Sequence, residues 1–116
     1  MIIKVLKSIK FSLNGLKHAY RNDKSFQMEI WSGVIFVLFA YILWPLSGTE
    51  ILFLILSYLL ILVVELLNTA FERILDILHP ETDEQVGISK DIASTAVFIA
   101  IIFAVIVACA ILSNHL

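Results

Sequence analysis

Fourteen residues from Ile51 to Val64 carry no charge. The segment directly behind them, Glu65-Leu66-Leu67-Asn68-Thr69-Ala70-Phe71-Glu72-Arg73-Ile74-Leu75-Asp76, holds three carboxylates and an amide. A run of about 20 mostly apolar residues crosses a bilayer as a helix, because in hydrocarbon every backbone N–H and C=O must be paired within its own segment. Glu65, Asn68, Glu72 and Asp76 follow one another at steps of three, four and four. A 3.6-residue repeat puts them on one helical face. An ionised group at membrane depth costs several kcal/mol, so such a face marks a functional site by default.

The rest of the chain supports a membrane protein. It is 60% hydrophobic and only 16% charged, whereas a soluble domain has nearer half apolar and about a quarter charged residues. Cys109 is the single cysteine, which excludes a disulfide framework or a cysteine metal cluster. The first residues do not read as a cleavable signal, because Lys7, Lys10, Asn14 and Lys17 interrupt them. All eight basic residues (Lys4, Lys7, Lys10, Lys17, Arg21, Lys24, Arg73 and Lys90) fall before position 25 or between 73 and 90. The positive-inside rule places those two regions in the cytoplasm, and the Pro45–Glu50 turn and the C-terminus outside. An odd number of crossings is required, and three fit.

One domain with four elements is expected. Ile2, Leu6, Ile9, Leu13, Leu16 and Tyr20 alternate at steps of four and three, which predicts an amphipathic helix over 2–21. Its flanking lysines suit a helix lying in an anionic headgroup layer. Arg21 to Ser25 read as a polar break. The first span is expected over 30–46, with Trp31 and Trp44 as interfacial anchors, followed by a turn at Pro45 and Gly48. The second helix covers 51–78, with Glu65 just inside the cytoplasmic boundary. A loop at 79–89 precedes a third span over 91–112. There Ala93, Ala96, Ala100, Ala104, Ala108 and Ala110 offer small surfaces for close helix approach. Three thin spans bury little polar surface around Glu65, so self-association is expected on physical grounds.

Carboxylate, amide and carboxylate at Glu65, Asn68 and Glu72 can bind a divalent cation, move protons or activate a hydroxyl; an interhelical polar network is the alternative. Asp76 reads as a solvated partner of Arg73 or Lys90. Lys90-Asp91 and Asn22-Asp23 are weak taken alone: the first suits a topology charge with a helix-start acid, the second a helix cap. Gly15, Gly33, Gly48 and Gly87 form no phosphate-cradling loop and no dinucleotide fingerprint. His18 and His79 read as interfacial or loop side chains and His115 as a tail residue. Phospholipid accounts for the scattered lysines better than nucleic acid does.

Glu65-Leu66-Leu67-Asn68-Thr69-Ala70-Phe71-Glu72 resembles the E-x-x-N-[ST]-A-x-E signature of the small prokaryotic diacylglycerol kinase family. Lys90-Asp91-Ile92-Ala93-Ser94-Thr95-Ala96-Val97 resembles its K-D-x-x-[SA]-x-A-V block, and Asn14-Gly15-Leu16 up to Asn22-Asp23 its N-terminal segment. The resemblance implies an all-α homotrimeric enzyme of the bacterial inner membrane, each subunit having a surface helix and three membrane-crossing helices. Such an enzyme moves the γ-phosphoryl group of ATP, with Mg²⁺, to a lipid hydroxyl. By position, Glu65 resembles the catalytic carboxylate. Glu72 and Asp23 resemble the metal and ATP ligands, and Glu81, Lys90 and Asp91 further ATP contacts. Ser94, Glu65 and Asn22 resemble lipid contacts, with Asn68 and Glu29 supporting. Asp23 stands where the family usually has glutamate. Thr82-Asp83 stands where an aromatic and a histidine are common.

A related branch phosphorylates undecaprenol. Ser94 and Glu29 are more similar to the diacylglycerol branch, which is therefore the expected substrate class. A different class, a small proton-coupled transporter, would also tolerate an interfacial glutamate. It predicts polar residues deeper in spans one and three, where this chain has few.

Overall fold

The computed structural model describes residues 1–81 and 83–116, all of the regular structure being helical. The first helix, α1, covers Ile2–Asn22. Its predicted apolar stripe is present but has no protein cover: Ile2, Leu6, Ile9 and Leu13 are exposed, and only Ala19 is buried. The polar break expected over 21–25 shrinks to Asp23 alone. Its N–H donates to the Ala19 carbonyl at 2.8 Å, closing α1. Its side chain then accepts from the amides of Ser25 and Phe26, opening α2 at Lys24. A carboxylate that satisfies two orphan amides lets the next helix start at once.

The first apolar crossing is therefore longer at its start and shorter at its end than the predicted 30–46. It comprises α2 (Lys24–Trp31) and α3 (Gly33–Ile42), broken at Ser32. The Ser32 hydroxyl donates back to the Glu29 carbonyl at 2.5 Å, a competing bond typical of helix breaks at serine–glycine pairs. The Tyr58 hydroxyl donates to the carbonyl of Ile30 at 2.7 Å. This ties the break to the second crossing. Gly33 makes the approach possible, since a Cβ there would come within 2.9 Å of Tyr58 ring atoms. The helix stops at Ile42 because Pro45 supplies no N–H and disfavours helical geometry in the residue before it. Leu46, beyond the helix, is nonetheless buried.

Ser47 opens α4 (Gly48–Leu78) through a reciprocal box: the Glu50 amide donates to Ser47 Oγ and the Ser47 amide to Glu50 Oε1. At 1.5 Å per residue α4 is about 46 Å long, well beyond the ~30 Å hydrocarbon thickness. Its acidic end therefore projects from any bilayer that covers its apolar start. The second loop is shorter than the predicted 79–89. Asp83 accepts from the Gln85 amide at 2.8 Å, and α5 (Glu84–His115) begins there instead of near 91. Gly87 is carried inside the helix.

Helices α4 and α5 form the main packed pair. The buried residues of α4 are Leu54, Ser57, Ile61 and Glu65, a single stripe at steps of three, four and four. Those of α5 are Val97, Ala100, Val107 and Ile111. Ala93, Ala104 and Ala108 are partly covered, while Ala96 and Ala110 are exposed, so the alanine run divides between two faces. Leu46, Leu54, Val107 and Ile111 cluster at the Pro45 end. Three stretches, Lys24–Ile42, Gly48–Leu78 and Glu84–His115, are long and apolar enough to cross a membrane. Packing between such helices comes from close van der Waals fit and interhelical hydrogen bonds, since lipid removes the hydrophobic drive between them.

Candidate active site

Glu65 continues the buried stripe of α4 and is only 5% exposed. It is the one charged side chain in that seam. The carboxylates of Asp23, Glu29 and Glu72 lie close enough to act on it electrostatically. Asp23 arrives from the α1–α2 elbow. One carboxylate oxygen, Oδ1, accepts from the Ser25 amide at 3.0 Å and the Phe26 amide at 3.3 Å, and the other, Oδ2, accepts from the Thr69 hydroxyl of α4. Phe26, fully buried, anchors the elbow. Asn68 Nδ2 makes a long contact of 3.4 Å with Glu72 Oε1, and Asn68 Oδ1 is buried without a hydrogen-bond partner among the described residues.

Of these groups, Asp23, Thr69 and Glu72 border an open cleft of about 890 Å³ between the C-terminal half of α1 and the acidic end of α4; Asn22, Lys24 and Arg73 are also among its walls. Asn22 turns its amide back onto the His18 carbonyl at 2.9 Å. Lys90 reaches from α5 to Asp76 at 2.6 Å and lies within electrostatic range of Glu72. Of the two candidate partners read from the sequence for Asp76, the tertiary arrangement selects Lys90. Asp91, Ser94 and Glu81 are exposed. Asp91 contributes its carbonyl to the hydroxyls of Ser94 and Thr95 at 2.9 and 2.8 Å. The fold thus gathers Glu65, Asn68, Glu72, Asp23, Glu29 and Asn22 at one place and brings Lys90 to its rim. The side chains of Glu81, Asp91 and Ser94 make no hydrogen bond or ion pair with that group among the described residues, and Thr82 lies outside those residues.

Two residues acquire roles that were not assigned from the sequence. Thr69 sits four residues after Glu65 and three before Glu72, so the same helical spacing that marked the acidic face already contained it. His115 is not a free tail residue. Its Nε2 lies 3.0 Å from Glu50 Oε2, both side chains being largely covered. No local pattern joins positions 50 and 115.

Among the described residues the ion pairs are Lys90–Asp76 and His115–Glu50, so Glu65 and the three carboxylates around it have no ion-pair partner in that range. Clustered carboxylates without a direct ion-pair partner are costly, more so where water is scarce. No three acidic or imidazole groups among the described residues converge into a ready cage for a metal. Magnesium does not require one: it is commonly held by one or two carboxylates together with nucleotide phosphates and water. Asp23 and Glu72 on the walls of one cleft fit the ion in that form.

Comparison with known proteins gives a consistent answer. The profile described as prokaryotic diacylglycerol kinase matches residues 10–112. The chain is 38% identical over 112 residues to a diacylglycerol kinase of Escherichia coli, covering 97% of this chain and 91% of that one. It is 37% identical over 97 residues to a diacylglycerol kinase of Haemophilus influenzae, covering 84% and 81%. A diacylglycerol kinase of Synechocystis is 32% identical over 104 residues, covering 89% of this chain and 59% of that longer protein. With its acidic helix face, its paired crossings and its elbow carboxylate, this chain belongs to the prokaryotic diacylglycerol kinase family.

Proposed function

We propose that this member of a lipid kinase family transfers the γ-phosphoryl group of ATP to the hydroxyl of diacylglycerol at the cytoplasmic membrane interface, releasing phosphatidate and ADP. The observation that carries the reading is the position of Glu65: a buried carboxylate in an apolar helix seam, on the helical face that also carries Glu72, which with Asp23 lines an open cleft. The lipid hydroxyl oxygen attacks the γ-phosphorus, the bond from that phosphorus to the bridging oxygen breaks, and Glu65 takes the hydroxyl proton. Asp23 and Glu72 would hold Mg²⁺, which would supply charge to offset that of the phosphates. Lys90, beside Asp76 at the cleft rim, binds phosphate oxygens as a point charge. Asn68 orients Glu72 and offers its free oxygen to the incoming ligand. Asn22, Glu29 and Ser94 face the lipid, and Glu81 and Asp91 the nucleotide. Phosphoryl transfer of this kind depends on positioning and charge neutralisation more than on covalent chemistry, so a few carboxylates, one lysine and a base suffice without a glycine-rich loop.

The membrane disposition follows from the same features. The basic, acidic end of the molecule is cytoplasmic by the positive-inside rule and the Pro45 turn external. The exposed stripe of α1 lies in the headgroup layer. Exposed apolar and alanine faces on the crossings support a homotrimer, in which neighbouring subunits complete the cover of the site.

The test is phosphorylation by purified protein in mixed micelles, with diacylglycerol and undecaprenol in parallel and Glu65→Gln as control. Magnesium-dependent phosphatidate that disappears with the variant is the expected result. Undecaprenyl phosphate instead would keep the mechanism and change the lipid. No product from either lipid, in folded protein, would sink the kinase reading and favour transport.

A further inference from the structure

The Asp23 carboxylate does two jobs with two different oxygens. Oδ1 is committed to α2, accepting from both the Ser25 and the Phe26 amides. Oδ2 is reached by the Thr69 hydroxyl across 46 positions of sequence, and it is the oxygen turned toward α4. Each carboxylate oxygen has two acceptor sites. Those of Oδ1 are filled by amides, whereas Oδ2 keeps one after Thr69 has donated. Asp23 can therefore offer a cation a single oxygen, and the hydroxyl of Thr69 sets where that oxygen points. Aspartate is a short side chain with few rotamers, and its backbone here is extended at φ −116° and ψ 106° between two helices. The Thr69 contact is the side-chain hydrogen bond that ties this elbow to α4 among the described residues.

We propose that Thr69 is a positioning residue, whose hydroxyl holds the Asp23 carboxylate against the Glu65–Glu72 face of α4 and leaves one oxygen directed at the divalent cation of the nucleotide. This rests on the reading of Asp23 and Glu72 as cation ligands. A carboxylate ligand is oriented by the donors behind it, and loss of such a donor typically weakens metal affinity or activity by about 10–100-fold. Thr69 acts through Asp23, without itself touching the reacting atoms. Its loss raises the metal and nucleotide requirement and leaves the KM for lipid unchanged.

The experiment is Mn²⁺ binding by electron paramagnetic resonance, on full-length protein in micelles with a non-hydrolysable ATP analogue, alongside the Mg²⁺ dependence of phosphatidate formation. Wild type, Thr69→Val, Thr69→Ser, Asp23→Asn and the Asp23→Asn/Thr69→Val pair are compared. Thr69→Val weakens Mn²⁺ binding by about 10–100-fold, Thr69→Ser stays near wild type, and the pair is no worse than Asp23→Asn alone. Should Thr69→Val fail to fold, Thr69→Ala removes the same hydroxyl in a residue well suited to helices and decides the matter in the same assay. Unchanged binding in the hydroxyl-free variant overturns the positioning role while leaving the cation site intact. So does equal weakening by serine, or added loss in the pair. A wild-type protein that binds no Mn²⁺ with the nucleotide overturns both.

Discussion

The two ends of the α4–α5 pair handle polar groups in opposite ways. At the Pro45 end, Ser47 and Glu50 satisfy one another's backbone amides, and the Glu50 carboxylate also meets His115 at 3.0 and 3.2 Å. Directly beneath, Leu46, Leu54, Val107 and Ile111 close the packing. At the other end a lone ion pair, Lys90–Asp76, sits at the exposed rim. Glu65, Glu72, Asp23 and Glu29 have no ion-pair partner among the described residues, and Asn68 Oδ1 is buried with nothing to accept. Buried polar groups are nearly always paired in a finished structure. The first end pairs its polar groups within the chain, and the second leaves several of them unpaired among the described residues. The difference teaches where to look for chemistry in a protein made almost entirely of apolar helix: at the polar groups the chain itself leaves unsatisfied.

Several substitutions bear on this contrast, the largest effect falling at the unsatisfied end. Glu65→Gln should lower the initial rate of phosphatidate formation by ~10²–10⁴, the usual worth of a positioned base. Its thermal midpoint should equal or exceed that of wild type, because a neutral amide is cheaper to bury in the seam. A dead variant with a collapsed midpoint would make Glu65 a structural group instead. Glu72→Gln should move the Mg²⁺ titration of activity by at least the ~10–100-fold expected for a lost outer partner, and an unmoved titration curve would remove Glu72 from the cation site.

Between the two ends, Gly33→Ala forces a methyl group against the Tyr58 ring. It should destabilise the fold by about 1–3 kcal/mol, as overpacking does, with the Mg²⁺ requirement unchanged. Equilibrium unfolding in mixed micelles would check the first part, and a shifted Mg²⁺ curve would show that the break in the first crossing is coupled to the site. The smallest effect belongs to the closed end. Ser47→Ala removes the cap of α4 and should cost about 0.5–2 kcal/mol of stability while the phosphorylation rate holds. A large fall in rate there would mean that the two ends are not independent.

Much of this was legible in the residues themselves. The charge-free run and the steps of three and four placed Glu65, Asn68 and Glu72 on one face, because helical periodicity is a local property. Three crossings followed from length and apolar content for the same reason. Boundaries were less legible. Pro45 ended the first crossing at Ile42, ahead of the predicted 46, and Asp83 started α5 at Glu84, where a loop was expected. Both are decided by single residues at helix ends, which periodicity over a longer window passes over.

What only the tertiary structure decided are pairings between distant positions: Asp23 with Thr69, Ile30 with Tyr58, and Glu50 with His115. Each is a polar group seeking a partner where water is scarce. Sequence determines that such a group exists and which helical face carries it. The partner depends on which helices lie side by side and in what register, a product of packing between faces along their whole length. Thr69 illustrates the division. Its place on the acidic face is written in the spacing 65, 69, 72, while the carboxylate it holds comes from an elbow that only the folded chain brings within reach.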